Sequence, residues 1–260
     1  MTTPVESASI VRQPYVPGEP VTLFVPCYID QFYPQIAMAT AKILKKFGIP
    51  VRFPERQTCC GQPAFNSGYW DEAGSVIRGF CECMKDSRWV VAPSGSCTAM
   101  GRVFFEKAVP HNPQVAEVAS RMFELGEFLV NHLEVTQTGA VFPHRCTLHI
   151  GCHTRRELGA AEPSETLLKN VRGVEYIELP DKEECCGFGG TFSVKMPGTS
   201  LAMGRTKVEK MLSTGAEYVV TPDISCAMHF GGILEKMRET DPHAANLKII
   251  HLAELLVAGW

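Results

Sequence analysis

The stretch TCCGQPAFNSG (residues 58–68) has a counterpart in CCGFGGTFSVK (residues 185–195), and both contain two adjacent cysteines followed by glycine. Single cysteines flank each pair, so the first half reads Cys-x31-Cys-Cys-Gly-x35-Cys. The second half reads Cys-x32-Cys-Cys-Gly-x38-Cys. Because nearly the same pattern spans most of each half, the two motifs indicate an internal repeat.

Three further segments repeat in the same order. VTLFVPCYID (21–30) is matched by CTLHIGCHTR (146–155), RWVVAPSGSCTAM (88–100) by EYVVTPDISCAMH (217–229), and LGEFLVNHL (125–133) by LAELLVAGW (252–260). The matched positions lie 125–129 residues apart, which favours two homologous domains. The predicted boundaries are an N-terminal arm at 1–19, a first domain at 20–136, a linker at 137–144 and a second domain at 145–260.

Each half alternates strand-type and helix-type patterns. Apolar strand-type runs occupy 21–25, 51–53 and 89–92 in the first half, and 148–150, 175–179 and 218–221 in the second. Apolar residues at helical spacing lie between them. Such alternation is typical of a parallel sheet with right-handed crossovers. The predicted fold class is therefore α/β, with two pseudo-symmetric Rossmann-like units related by internal duplication.

The repeated cysteines follow the ends of the predicted strands. The first set is Cys27, Cys59, Cys60 and Cys97, and the second is Cys152, Cys185, Cys186 and Cys226. In an open parallel sheet, ligands bind in the crevice outside the carboxyl ends of the strands. We therefore predict that four thiols per domain converge on one metal site.

The adjacent cysteines favour an iron–sulfur cluster. Neighbouring side chains tend to point apart, which suits a polynuclear cluster better than one tetrahedral ion, and thiolates are the usual cluster ligands. Zinc remains the alternative occupant, because sites of four cysteines accept it. Gly61 and Gly187 follow the pairs, where glycine permits positive φ and a close approach of the backbone to the cofactor. The glycine-rich run that adds Gly189 and Gly190 is predicted to present backbone N–H donors to it.

Composition and charge argue against several classes of protein. The chain has 260 residues, 25 Lys plus Arg and 28 Asp plus Glu, a balance that offers no basic field for nucleic acid. No apolar run approaches the ~18 residues of a membrane span, and the first twenty residues do not resemble a secretory signal. We expect a cytoplasmic protein, in which eleven cysteines point to metal or thiol chemistry rather than disulfides.

A few polar residues are candidates for a catalytic or substrate-binding role. His153 and Arg155 follow Cys152, and Lys195 follows the glycine-rich run, so they could bind a small carboxylate such as lactate or pyruvate. The alternative is a solvated helix start with ordinary ion pairs. The remaining cysteines, Cys81, Cys83 and Cys146, have no cysteine counterpart in the repeat and are expected to pack in the core.

The tandem motif resembles the cysteine-rich CCG domain that occurs in heterodisulfide reductase and in the iron–sulfur subunit of glycolate oxidase. The strings VPCYIDQFYPQ, TCCGQPAFNSG, GCHTRRELG and CCGFGGTFSVK are similar to the LutA/YkgE (LldE) family of lactate-utilisation subunits. The resemblance implies an iron–sulfur electron-transfer subunit of an L-lactate-oxidising complex, rather than a complete enzyme alone. It also implies a ferredoxin-like iron–sulfur subunit and a third small subunit as partners.

The chain departs from the CCG subunit of heterodisulfide reductase at the end of each motif. That protein ends its motif in Cys-x-x-Cys, whereas here Ser94 and Asp223 stand three residues before the last cysteine. Four cysteines per site favour an ordinary [4Fe–4S] cluster over a non-cubane one, and up to two clusters per chain. Asp223 and His229 are considered as substitute ligands at the second site. Two rival functions stay open: a zinc-stabilised assembly scaffold without redox chemistry, and a thiol–disulfide oxidoreductase.

Overall fold

The structure is a computed structural model that describes residues 14–260, and it contains two sheets of four parallel strands. The strands are β1 (Val21–Leu23), β2 (Val51–Arg52), β3 (Trp89–Ala92), β4 (Met122–Glu124), β5 (Arg145–Leu148), β6 (Glu175–Tyr176), β7 (Tyr218–Thr221) and β8 (Lys248–His251). The first sheet has the order β2-β1-β3-β4 and the second β6-β5-β7-β8, so one topology occurs twice.

Helices connect the strands in both units. They are α1 (Cys27–Phe32), α2 (Pro34–Lys46), α3 (Gln62–Asn66), α4 (Trp70–Met84), α5 (Gly95–Ala99), α6 (Phe105–Ala108), α7 (Pro113–Ala119), α8 (Leu125–Glu127), α9 (Ala161–Lys169), α10 (Thr191–Lys195), α11 (Pro197–Ser213), α12 (Ile224–Met237) and α13 (Leu252–Leu255). π-helical turns at Met100–Phe104, Phe128–His132 and His153–Glu157 and a 3-10 turn at Pro242–Ala245 complete the set. The α/β fold predicted from the sequence, with two similar parallel-sheet units, is confirmed.

The strand prediction was wrong at several places, including the end of β6, which is at Tyr176 rather than at residue 179. The first strand of the second unit begins at Arg145, three residues before the predicted start, because its exposed first residue pairs with Glu175 and carries no apolar signal. The fourth strand of each sheet was not predicted at all. These strands, β4 and β8, are short and each ends in a buried polar residue, Glu124 or His251, so they lack the apolar run that indicates a strand.

The two units pack against each other around a shared core. One cluster of buried apolar side chains includes Leu44 of the first unit and Leu256 of the second. Helix α2 packs on α13, while α9 packs on α8 and on the turn that follows it. Because α9 and α8 occupy the places of α2 and α13 in the repeat, the same helix contact is made twice.

The segments outside the sheets are also held by specific contacts. Of the arm predicted at 1–19, residues 1–13 lie outside the described residues, while the indole Nε1 of Trp89 donates to the Glu19 carboxylate at 2.8 Å. Thr138, in the predicted linker 137–144, accepts from Lys46 Nζ at 2.7 Å and donates to the carbonyl of Leu256 at 2.8 Å. Among residues 14–260, no helix combines the length and hydrophobicity needed to cross a bilayer.

The last residue of the fourth strand caps the following helix in both units. The Glu124 carboxylate accepts from the N–H groups of Gly126, at 2.6 Å, and Glu127, at 3.1 Å. At the equivalent place, His251 Nδ1 accepts from the N–H of Ala253 at 3.1 Å. Burial raises the pKa of Glu124 to about 8, and the nearby carboxyl of Asp223 adds to the rise.

Because its pKa is raised, the buried Glu124 carboxyl should make the stability of the protein depend on pH. The pKa of Glu124 in the folded chain, about 8, exceeds its ordinary value of 4.5, so the folded state keeps a proton that the unfolded state has lost. The free energy of unfolding should therefore fall by a few kcal/mol as pH rises from about 4.5 to 8. Glu124→Gln should flatten that decline in thermal denaturation. The exposed Glu117→Gln is the control, and equal slopes in both variants would refute the prediction.

Candidate metal sites

Four cysteine side chains of the first unit come together at the carboxyl edge of its sheet. Cys27 begins α1 directly after β1, Cys97 lies in α5 after β3, and Cys59 and Cys60 lie in the loop between β2 and α3. The Sγ atoms of Cys27 and Cys59 are 3.8 Å apart. The Cys60 thiol interacts with those of Cys59 and Cys97. The four sulfurs therefore form one continuous group, with Cys60 buried and Cys27 exposed.

The second unit repeats this arrangement. The Cys152 thiol interacts with that of Cys185, and the Sγ atoms of Cys186 and Cys226 are 3.0 Å apart. Cys186 also interacts with its neighbour Cys185, so all four cysteines are linked. The interaction with Cys152 lowers the pKa of Cys185, as the interaction with Cys27 lowers the pKa of Cys59. One thiolate is thus favoured at the same position of each group.

Backbone N–H groups point at the sulfurs in both units. The N–H of Gly61 lies 3.4 Å from Cys59 Sγ, and the N–H of Gly187 lies 3.4 Å from Cys185 Sγ. The N–H of Phe188 adds a contact of 3.5 Å to Cys186 Sγ. The positive φ of Gly61 (81°) and Gly187 (85°) turns the chain so that these donors face inward. Such donors stabilise thiolates.

The other two predicted glycines act differently. Gly189 and Gly190 also have positive φ, and Gly190 precedes the first residue of α10. Their carbonyls accept from the N–H groups of Phe192, at 3.2 Å, and Ser193, at 3.2 Å. Their observed hydrogen bonds therefore shape the turn into α10.

The two equivalent glycines should respond unequally to alanine. A Cβ at Gly187 would stand 2.7 Å from the Ser200 carbonyl and 2.7 Å from Met203 Cβ, whereas at Gly61 the nearest atom is 3.5 Å away. Both substitutions carry the left-handed backbone cost of about 1–2 kcal/mol. Only Gly187→Ala adds a clash with helix α11, worth about 2 kcal/mol more. Thermal denaturation of both variants tests this, and equal losses would contradict it.

The candidate substrate-binding residues lie in different environments. His153 Nδ1 is 3.1 Å from the Gln62 side-chain amide, so it joins the two units beside the cysteine groups. Arg155 is half-buried, and its Nε has no hydrogen-bond partner among the described residues. Lys195 is exposed at the end of α10.

Asp223 and His229 are engaged in contacts within the protein. The Asp223 carboxylate accepts from the N–H of Gly151 and from the Thr154 hydroxyl, both at 2.9 Å. His229 Nε2 lies 3.2 Å from the carbonyl of Ser200. Both groups hold the loops around the second cysteine group, which is a hydrogen-bonding role. The three unrepeated cysteines lie elsewhere: Cys81 and Cys146 are buried, and Cys83 is half-buried.

One residue of the second site was missed by the sequence analysis. His149 follows β5, is 1% exposed, and has a ring nitrogen within 4.8 Å of the sulfurs of Cys186 and Cys226. Its counterpart in the repeat is Phe24, and this replacement of an apolar residue by an imidazole three residues before a cysteine was a signal available in the sequence.

The fold and the two cysteine groups define a class of protein: a tandem of cysteine-rich domains. The chain matches the CCG cysteine-rich domain twice, at residues 21–100 and 146–231, and belongs to that family.

The relatives narrow the family further. The chain is 42% identical over 239 residues to Lactate utilization protein A of Bacillus subtilis, covering 91% of this chain and 98% of that protein. It is 41% identical over 244 residues to Lactate utilization protein A of an Exiguobacterium species, covering 92% and 97%. It therefore belongs to the lactate utilization protein A family.

A solved structure supports the fold alone. A hypothetical protein from Helicobacter pylori superposes with a TM-score of 0.58 at 10% sequence identity. The match covers 95% of this chain and 49% of that one, so the chain spans about half the length of the solved protein.

Proposed function

We propose that this chain is an iron–sulfur electron-transfer subunit of a system that oxidises L-lactate, with one cluster in each unit. The observation that carries the proposal is the convergence of four cysteine sulfurs at the same sheet edge in both units. The proposed link to lactate rests on the relatives, which are named Lactate utilization protein A.

The donor set fits an iron–sulfur cluster, and the adjacent cysteines of each pair, whose side chains tend to point apart, suit several irons better than one zinc ion. All four donors at each site are sulfur, the ligand type that such clusters use. The N–H groups of Gly61, Gly187 and Phe188 lie 3.4–3.5 Å from these sulfurs and would offset the negative charge of a thiolate-bound cluster. A [4Fe–4S] cluster, when bound, supplies one-electron transfer.

The chain's own residues would have distinct tasks. The eight repeated cysteines hold the irons, and the buried members, Cys60 among them, shield the metal from water. Cys27 is exposed, so the first site opens toward the surface. We propose that a ferredoxin-like iron–sulfur subunit approaches there and that a third small subunit completes the complex.

Carboxylate binding is a second candidate role for the second site. Arg155 carries a buried Nε with no partner in the described part of the chain, and a guanidinium binds carboxylates in bidentate fashion. His153, two residues before it, is tied to Gln62 and would orient the same turn. Lactate or pyruvate would then bind beside the second cysteine group.

Deletion of the gene in its own host tests the proposed function. We expect loss of growth on L-lactate and normal growth on glucose, with rescue by the wild-type chain and not by Cys185→Ala. Anaerobically purified protein should be brown and contain iron and acid-labile sulfide in equal amounts. Colourless protein with zinc and no sulfide would favour the scaffold, and thiol exchange without iron would favour the thiol–disulfide oxidoreductase.

A further inference from the structure

The two cysteine groups differ at one buried position. The backbone N–H of Phe24 donates to the Val91 carbonyl at 2.9 Å, and that of His149 donates to the Val220 carbonyl at 2.9 Å. Both residues follow the first strand of their sheet and both are buried. Phe24 and His149 therefore occupy the same place, one beside each group of cysteines.

The surroundings of this position are apolar in the first unit only. The ring of Phe24 packs edge-on against Phe80, with centroids 4.8 Å apart, in a cluster that includes Cys60. His149 also meets a phenyl edge, that of Phe230 at 4.9 Å, but neither of its ring nitrogens has a hydrogen-bond partner among the described residues. A buried imidazole left in this way is costly unless the site supplies a partner.

A second polar residue accompanies the histidine. Lys207 is 1% exposed, and its Nζ donates to the carbonyl of Asp181 at 2.7 Å. Its ammonium lies close enough to His149 to act electrostatically on that imidazole. An imidazole carries at least one ring N–H in either protonation state, so His149 has a hydrogen to donate.

We propose that His149 donates its ring N–H to the cysteine sulfurs of the second site and, with Lys207, gives the centre bound there a higher reduction potential than the first centre. The inference rests on the proposed iron–sulfur function. His149 acts as a donor rather than a ligand, because the first unit assembles the same four cysteines with phenylalanine at this place.

The physical reason is the charge that reduction adds. An electron makes a thiolate-bound cluster more negative, and hydrogen bonds to its sulfurs and nearby positive charge stabilise that state. The second site has both, through His149 and Lys207, whereas Phe24 and Phe80 offer neither to the first. The Asp223 carboxyl also lies near the second site, but it already accepts hydrogen bonds from the Gly151 N–H and the Thr154 hydroxyl. The reduced state of the second centre is therefore more stable than that of the first, and its reduction potential is higher.

A redox titration of the intact chain, loaded with iron and sulfide without oxygen, tests the inference. We expect two midpoint potentials, and His149→Phe should lower only the higher one. The expected shift corresponds to about tenfold in the oxidised-to-reduced ratio, or ~59 mV for one electron. Lys207→Met should shift it in the same direction, and His149→Gln, which keeps an N–H donor, should preserve most of the wild-type value. Phe24→Leu is the matched control and should leave the higher potential unchanged.

Pulsed magnetic resonance on wild-type protein with 15N-labelled histidine gives a second readout that needs no variant. A weak nitrogen coupling supports an N–H donor to sulfur, while a strong one would make His149 a ligand and overturn the proposal. An unchanged potential in His149→Phe with full iron content would also overturn it. If neither site binds iron, both the proposed function and this inference are wrong.

Discussion

Replacing Cys59 by alanine should empty the first site and leave the second site filled. Anaerobic wild-type protein should contain about eight irons per chain if each unit holds a four-iron cluster, and the variant about four. Cys59 lies in the middle of its group, with its Sγ 3.8 Å from that of Cys27 and 3.4 Å from the Gly61 backbone nitrogen. Its loss removes a ligand and separates the remaining three.

A cysteine outside the repeated set provides the matched control. Cys81 lies in α4 of the same unit, and burial raises the pKa of its thiol to about 12, so it stays a neutral packing residue. Cys81→Ala should therefore keep all the iron. Cys185→Ala should give the mirror result and empty only the second site. Measurement of iron and acid-labile sulfide per chain tests these predictions. Full iron content in Cys59→Ala would show that Cys59 is not a ligand.

Replacing Gly95 by alanine should disrupt the contact between the units. A Cβ at this position would stand 1.6 Å from the Thr154 hydroxyl and 2.8 Å from Thr154 Cβ, both in the other unit. Thr154 cannot easily withdraw, because it is buried and its hydroxyl donates to Asp223 at 2.9 Å. We expect a loss of at least about 3 kcal/mol in the free energy of unfolding, and a melting temperature lower by about 6–12 °C.

The control for this variant is an alanine substitution at Gly79. That residue is exposed in α4 and a Cβ there meets nothing within 4 Å, so Gly79→Ala should be neutral or stabilising by up to about 1 kcal/mol. Adding Thr154→Ala to the Gly95 variant should restore part of the stability, since it removes the closest atom. A melting temperature for Gly95→Ala equal to that of wild type would contradict the prediction, because it would show that the contact between the units accommodates the added methyl group without loss of stability.

The cysteine arrangement could be anticipated because it follows from a local rule. Cys27 and Cys97 lie four and five residues after the ends of apolar strands, and the carboxyl ends of parallel strands share one sheet edge. Knowing the strands therefore placed the sulfurs together without any knowledge of side-chain packing. That these cysteines bind metal stays a prediction, which the iron analysis of Cys59→Ala tests.

Other parts of the site carry no comparable local signal. The strand Met122–Glu124 has three residues and ends in a buried carboxyl that caps the following helix. The contact of Gly95 with Thr154 joins residues far apart in the chain. The repeat shows that His149 replaces Phe24, but only the structure shows that its ring lies beside the sulfurs of Cys186 and Cys226.

The sequence by itself determined the duplication, the α/β class and the membership of two cysteine groups, because these depend on periodicity and on spacing along the chain. The tertiary structure alone decided which helices join the units, why Gly187 and Gly61 differ, and that an imidazole faces one group of sulfurs and a phenyl ring the other. These features depend on distances between side chains brought together by packing, and a repeat that preserves the backbone leaves such distances free to differ.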